Sequence, residues 1–256
     1  MTFKNAKFEA TGETKQLLGR TLHRIRATAD IAALDLVAGM LGGWVEKEDN
    51  LSVCGNAWVY SNAQVSGNAR VSGNAWVSGD ARVFDNARVH GDALVSGDAW
   101  VYSNARVYGN AWVYGNAWVS SNVQVYDNAQ VYGFARVSGD ARVYGNARVS
   151  GNARVSGDAR VSGDARVYGN ARVYGNARVC KVNLTAVRSD NYTFTITSTP
   201  EGPRIIAGCR YFSFEEARSH WTKTRAGTPL GEETFAILDL LELQCRIHGF
   251  DNPVKD

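Results

Sequence analysis

Ala105-Arg106-Val107-Tyr108-Gly109-Asn110 is followed without a break by Ala111-Trp112-Val113-Tyr114-Gly115-Asn116, and that by Ala117-Trp118-Val119-Ser120-Ser121-Asn122. Extending the step of six in both directions finds Val at every position from Val53 to Val179. A period kept so strictly marks a stacked repeat. Two residues before each Val from Val59 onward stands Ala, from Ala57 to Ala177, with Val123 the one replacement. Residues two apart on an extended strand share a face. If Val points inward, so does Ala, and the residues flanking Val point to solvent. The pair that follows, Gly-Asn, Gly-Asp or Ser-Asn, tolerates positive φ and lets the chain turn. Each hexad is one short strand and one corner. Three hexads close a triangular coil, and coils stacked about 4.8 Å apart build three parallel sheets. Residues 53–179 then make about seven coils, a prism on the order of 34 Å long.

The composition fits this reading. Among 256 residues, 26 Gly, only four Pro, and plentiful Trp and Tyr suit a turn-rich β protein better than a disordered one. The formal charge of +3 does not by itself single out nucleic acid or a membrane as partner. Cys54, Cys180, Cys209 and Cys245 form no CxxC or other framework, which points to thiols in a reducing compartment. Cys54 and Cys180 fall at opposite ends of the prism, too far apart to bond. The N-terminal MTFKNAKFEATGETK lacks the apolar core of a signal peptide, and no apolar run reaches membrane-spanning length. The expectation is a cytoplasmic protein that does not enter membranes.

The unit Val143-Tyr144-Gly145-Asn146-Ala147-Arg148 resembles the hexapeptide repeat of left-handed β-helix proteins, in which an aliphatic residue is followed four positions later by a small one. About half of the chain carries it. The repeat and the flanks together give a mainly β fold, a single-stranded parallel β-helix with an N-terminal β cap and a small C-terminal α+β domain, and the resemblance implies that the coil is left-handed. The flanking stretches GRTLHRIRATADI and AGMLGGWVEKEDNLS are similar to uncharacterised hexapeptide-repeat proteins of enteric bacteria and their prophages. That group brings no established activity, and for a phage-encoded member it implies the bacterial host cytoplasm.

Bare sheet edges at the ends of a solenoid need covering. Residues 1–52 are read as the N-terminal cap, with strands near 7–11 and 21–27, a Gly-rich Leu41-Gly42-Gly43-Trp44 segment, and Leu51 in the Ala-type inward position. Residues 53–180 are the repeats and 181–256 the C-terminal domain. In the last part, 192–198 and 204–212 read as two strands joined by the Thr199-Pro200-Glu201-Gly202-Pro203 turn. Ser213-Phe214-Glu215-Glu216 is a capping box opening a helix toward Lys223. A second helix starts after Thr228-Pro229, carries Phe235, Leu238, Leu241, Leu243 and Cys245, and stops at Gly249.

Sorting the residue before each Val by side gives three ladders. Side one reads Trp58, Trp76, Leu94, Trp112, Gln130, Arg148, Arg166; side two reads Gln64, Arg82, Trp100, Trp118, Arg136, Arg154, Arg172; side three reads Arg70, Arg88, Arg106, Gln124, Arg142, Arg160, Arg178. The aromatic stretch, Trp58, Trp76, Leu94 and Trp112 with Trp100 and Trp118, is the candidate interface. Contiguous apolar patches of this kind are seldom left bare. The partner is another protein or further copies of the chain, a trimer included, or the N-terminal flank covers the stripe. From Arg136 onward every residue before Val is Arg. Arg136, Arg142, Arg154, Arg160, Arg172 and Arg178 are thus candidate anion-binding residues, with Tyr144, Tyr168 and Tyr174 available for stacking on nucleic acid. The plainer reading is Arg as a solubilising residue, its stem covering neighbours and its head in water.

Hexapeptide-repeat proteins include acyltransferases, and the resemblance implies a His base beside a loop extruded from the coils. His90 is the only His in the repeats, beside Arg88 and Arg106, and no insertion near it builds a pocket. A zinc site needs three converging ligands, and His23, His220 and His248 show no metal-ligand spacing. Glu215-Glu216 and Glu232-Glu233 are explained by first-turn helix positions. The sequence therefore predicts a non-enzymatic solenoid that binds protein and needs no metal or cofactor. An acyltransferase using His90 between subunits, and an anion-binding or nucleic-acid-binding Arg half, are the alternatives.

Overall fold

The structure, a computed structural model, describes residues 3–17, 19–179, 184–199, 202–208 and 210–247. Its centre is a parallel β-solenoid. The two-residue strands β4 (Trp58–Val59) through β24 (Arg178–Val179) recur every six residues, and each up to β21 (Arg160–Val161) pairs in parallel with the strand three further on. Val pairs with Val along each side, as in Val95↔Val113 and Val107↔Val125. From Ala57 to Val179 the inward Ala and Val are all buried, forming one continuous core. This is the facing that alternation predicts. Corners hold Gly at positive φ, replaced at five places by Ser61, Asp85, Ser103, Ser121 and Asp127 in the same conformation.

The first coil begins earlier than the hexad count predicts, and its register differs. Strand β3 (Leu41–Val45) pairs in parallel with Gln64–Val65, and Leu51 bridges Val71. Leu51 is therefore in the Val-type slot and not the Ala-type one, while Val53 is 48% exposed. The chain has two extra residues between Leu51 and Ala57, and the Ser52–Gly55 excursion is held by the Lys7 ammonium, which donates to the carbonyls of Ser52 and Gly55 at 3.0 Å each. Side two thus has eight solenoid rungs, counting β3, where seven were expected.

The N-terminal cap is a hairpin, β1 (Phe8–Leu17) and β2 (Arg20–Ala27), longer than the sequence indicates because its exposed face is polar. β2 pairs antiparallel with β3, so the hairpin continues the side-two sheet past the first coil. Phe8, Ile25, Leu36 and Val45 join the solenoid core. Close packing there requires glycine: a Cβ on Gly43 would lie 2.6 Å from both the Ala63 carbonyl and Val59 Cγ1.

At the other end stands a four-stranded antiparallel sheet, β25 (Leu184–Val187), β26 (Thr193–Thr199), β27 (Gly202–Ala207) and β28 (Arg210–Phe212). Two strands were expected. The stretch 204–212 splits because Gly208, at φ +63°, turns the chain between Ala207 and Arg210. Phe194, Ile196, Ile205 and Ala207 pack with the helices α1 (Phe214–Arg225) and α2 (Pro229–Ile247). Ile206, on the opposite face, joins the solenoid core and plugs its last coil. Ser213 and Glu216 form the expected capping box. Along α2, Leu238, Leu241 and Cys245 are buried, but Leu243 is exposed. The Glu233 carboxylate accepts from the Ser189 backbone and hydroxyl, both at 2.7 Å, so it ties α2 to the β25–β26 turn beyond any role at the helix start. Pro200, Glu201, Cys180, Cys209, His248 and the helix stop at Gly249 lie outside the described residues.

Candidate binding faces

Parallel pairing stacks the side-one residues in register: Trp58↔Trp76, Trp76↔Leu94, Leu94↔Trp112, Trp112↔Gln130, Gln130↔Arg148 and Arg148↔Arg166. Trp58 is not available to a partner. It is 0% exposed, with Phe8 edge-on to its ring at 6.5 Å, because the N-terminal flank covers the first rung. Beyond that rung the cover is only partial. Trp76 is 41% and Trp112 47% exposed, with Leu94 half-buried between them. Ala33 and Leu34, from the short 3-10 turn Ala32–Leu34, overhang this ladder. Between them lies a cleft of about 450 Å³, lined also by Trp76, Leu94, Trp112 and Asp92.

Side two treats its indoles differently. Trp100 and Trp118 stack at 5.1 Å with planes 6° apart, and the guanidinium groups of Arg82 and Arg136 lie 4.9 and 4.7 Å from the two ring centroids. Two cations thus close the ends of a stacked pair. Cation–π contact of this kind contributes about 0.5–1 kcal/mol at exposed sites, so this pair is already satisfied within the chain.

His90 falls in a third arrangement. It heads a column of rings, His90, Tyr108, Tyr126 and Tyr144, each about 5.0 Å from the next and nearly parallel. Burial lowers its proton affinity, helped by the charges of Arg106 and Arg88. The side-one cleft does not include it.

The Arg-rich half is an uncompensated array. In-register pairs such as Arg142↔Arg160, Arg160↔Arg178, Arg136↔Arg154 and Arg154↔Arg172 put like charges directly opposite one another, which is unfavourable. Among the described residues no ion pair answers them. Of the nearby carboxylates Asp140, Asp158 and Asp164, Asp140 and Asp164 accept instead from the Asn122 and Asn146 amides at 2.8 and 3.1 Å.

Those bonds end two side-chain ladders that the ordering by Val left unseen. Along one corner, Asn68, Asn86, Asn104 and Asn122 each donate Nδ2–H to the next Oδ1 at 3.0–3.2 Å, and Asn122 to Asp140 at 2.8 Å. Lys47 donates to Asn68 Oδ1 at 3.0 Å and starts the row. A cation can only donate and a carboxylate only accept, so the two ends fix the orientation of every amide between. The signal was present in the sequence as Asn recurring at every third hexad.

A protein-family model described as YdcK Beta solenoid repeat matches residues 63–79, 75–91, 81–97, 105–121, 135–151, 141–157, 147–163, 153–169 and 165–181. Apart from 180 and 181, outside the described residues, the matched residues lie in the solenoid, and together the matches span less than half of the chain, so the similarity is one of repeat. No curated protein matches the chain. Among the described residues no group of His, Cys, Asp and Glu is placed to hold a metal ion, and no helix is long and apolar enough to cross a membrane.

Proposed function

We propose that the protein is a non-enzymatic solenoid scaffold that works by binding polypeptide through side one, in the first place a second copy of itself. The observation that carries this reading is the pair of exposed indoles, Trp76 and Trp112, flanking Leu94 on one in-register ladder. Such rigid aromatic anchors are the residues most enriched where binding energy concentrates.

The same ladder supplies the complement. Past its midpoint it runs Gln130, Arg148, Arg166. A twofold axis between the Trp112 and Gln130 rungs brings a second copy in antiparallel. Trp112 then faces the copy's Gln130, Leu94 its Arg148 and Trp76 its Arg166. Guanidinium over indole is the contact that Arg82 and Arg136 already make with Trp100 and Trp118, and a twofold arrangement closes without leaving a free copy of the surface. A phage-encoded member acting on a host protein, the setting that the flanks' resemblance implies, would use this face too.

The test is a Trp76→Arg/Trp112→Arg double variant. Light scattering should report half the wild-type mass with the far-UV circular dichroism of the folded solenoid retained. An unchanged mass in a folded variant removes side one as the interface. Stabilisation by coenzyme A thioesters would instead favour the His90 acyltransferase reading.

A second reading rests on the unpaired Arg ladders: a polyanion, nucleic acid included, would relieve their mutual repulsion. It requires retention on a phosphate matrix that falls steeply with salt. Retention without that dependence eliminates it.

A further inference from the structure

A separate feature lies in the C-terminal sheet and helices, away from the ladders. Arg188 follows β25, Tyr192 precedes β26, Arg210 opens β28, and His220, Trp221, Thr224 and Arg225 come from the later turns of α1. Together they line a pocket of about 280 Å³. Cations from three elements face one space, and no Asp or Glu is among the lining residues.

The walls are fixed. Arg188 is buried, and its guanidinium donates to both Asp190 oxygens at 2.9 and 2.7 Å and to Thr234 Oγ1 at 2.8 Å. It lies 4.9 Å from the Tyr192 ring centroid. These bonds hold the Asp190 carboxyl at about 2. The Tyr192 hydroxyl donates to the Ala207 carbonyl at 2.8 Å, over Gly208, where a Cβ would come 2.6 Å from that hydroxyl.

Arg188 is thus answered by Asp190, but Arg210 and Arg225 have no ion pair among the described residues. Arg225, with Lys223, offsets the negative end of α1. That does not explain Arg210, which stands on a strand. The residual field is felt by His220, held between Phe212 and Trp221: burial lowers its proton affinity, and the charges of Arg210 and Lys223 lower it further.

We infer that this pocket binds a small tetrahedral oxyanion of the phosphate or sulfate class, gripped by the guanidinium forks of Arg210 and Arg225 with the His220 ring beside them. Paired N–H donors on a planar cation match the oxygens of such a group, and the aromatic walls of Tyr192 and Trp221 exclude water from one side.

Calorimetric titration of the full chain with inorganic phosphate, at ionic strength matched with chloride, tests this. One saturable site is expected, with a Kd of about 1 mM or tighter. Arg210→Gln/Arg225→Gln should weaken it by about tenfold or more, while Arg20→Gln/Arg26→Gln on the N-terminal hairpin leaves it unchanged. Absence of saturable binding, or affinity that survives in the pocket variant, overturns the assignment. Should the pocket variant fail to fold, the wild type decides by NMR: phosphate should raise the His220 pKa, and a pKa that does not move refutes the site.

Discussion

Consider alanine placed at two corner glycines that differ only in what lies above them. Gly97 and Gly175 have φ of +67° and +58°, so each substitution forces an L residue into the left-handed region, at a cost of about 1 kcal/mol. At Gly175, in the last coils, the new Cβ meets nothing within 4 Å. At Gly97 it would lie 2.9 Å from the Gly115 nitrogen, 3.0 Å from its oxygen and 3.2 Å from its Cα. Those atoms belong to the next coil and cannot swing aside as a side chain would. Overpacking of this kind costs about 1–3 kcal/mol. Gly97→Ala should therefore destabilise by about 3 kcal/mol and Gly175→Ala by about 1 kcal/mol. Gly97→Asp should fall between. Asp85 and Asp127 occupy equivalent corners, where Oδ2 accepts the backbone N–H of Ser103 at 3.2 Å and of Gly145 at 3.1 Å in the coil above. Urea unfolding followed by far-UV circular dichroism ranks the three. Equal losses for the two alanine variants would refute the argument that coil stacking, and not φ alone, selects glycine.

Two further outcomes follow from the capping and corner contacts. Lys7 has its pKa lowered to about 8, chiefly by burial. Between pH 8 and 10.5 the unfolded chain holds the proton that the folded chain has lost, so stability should rise with pH across that window through this group. Lys7→Met should flatten the rise, and urea midpoints that climb equally in both proteins would contradict it. Asn104→Asp leaves a side chain that accepts from Asn86 but cannot donate to Asn122. It should cost about 1 kcal/mol, and Asn104→Ala no more than that by the same unfolding assay, since the surrounding groups are exposed to water.

Much of this architecture was legible in the sequence because the interior is nearly uniform. One Val and one Ala per hexad leave a single consistent facing, and the structure adopts it from Ala57 to Val179. The reading failed where a second apolar residue competed. Val53 fits the period, yet Leu51 takes the inward slot, because the excursion before Ala57 shifts the register of the first rung and no periodicity can report that. The outward ladders were correctly ordered, but the fate of each indole depends on contacts distant in sequence. Trp58 lies under a hairpin formed by residues far upstream, whereas Trp100 and Trp118 are closed off by Arg82 and Arg136 one coil away on either side. The cationic pocket could not be read at all. Arg188, Arg210 and Arg225 share no local spacing and meet only through the β28 turn at Gly208 and the packing of α1 on the sheet.

The central claim is that side one joins two copies, and the mass of the unmodified protein in solution addresses it most directly. The chain weighs 27.9 kDa. Light scattering across a dilution series should give twice that mass at the upper concentrations, falling toward the single-chain value on dilution. A mass of 27.9 kDa at every concentration would contradict the account and leave Trp76 and Trp112 as exposed residues without a partner copy.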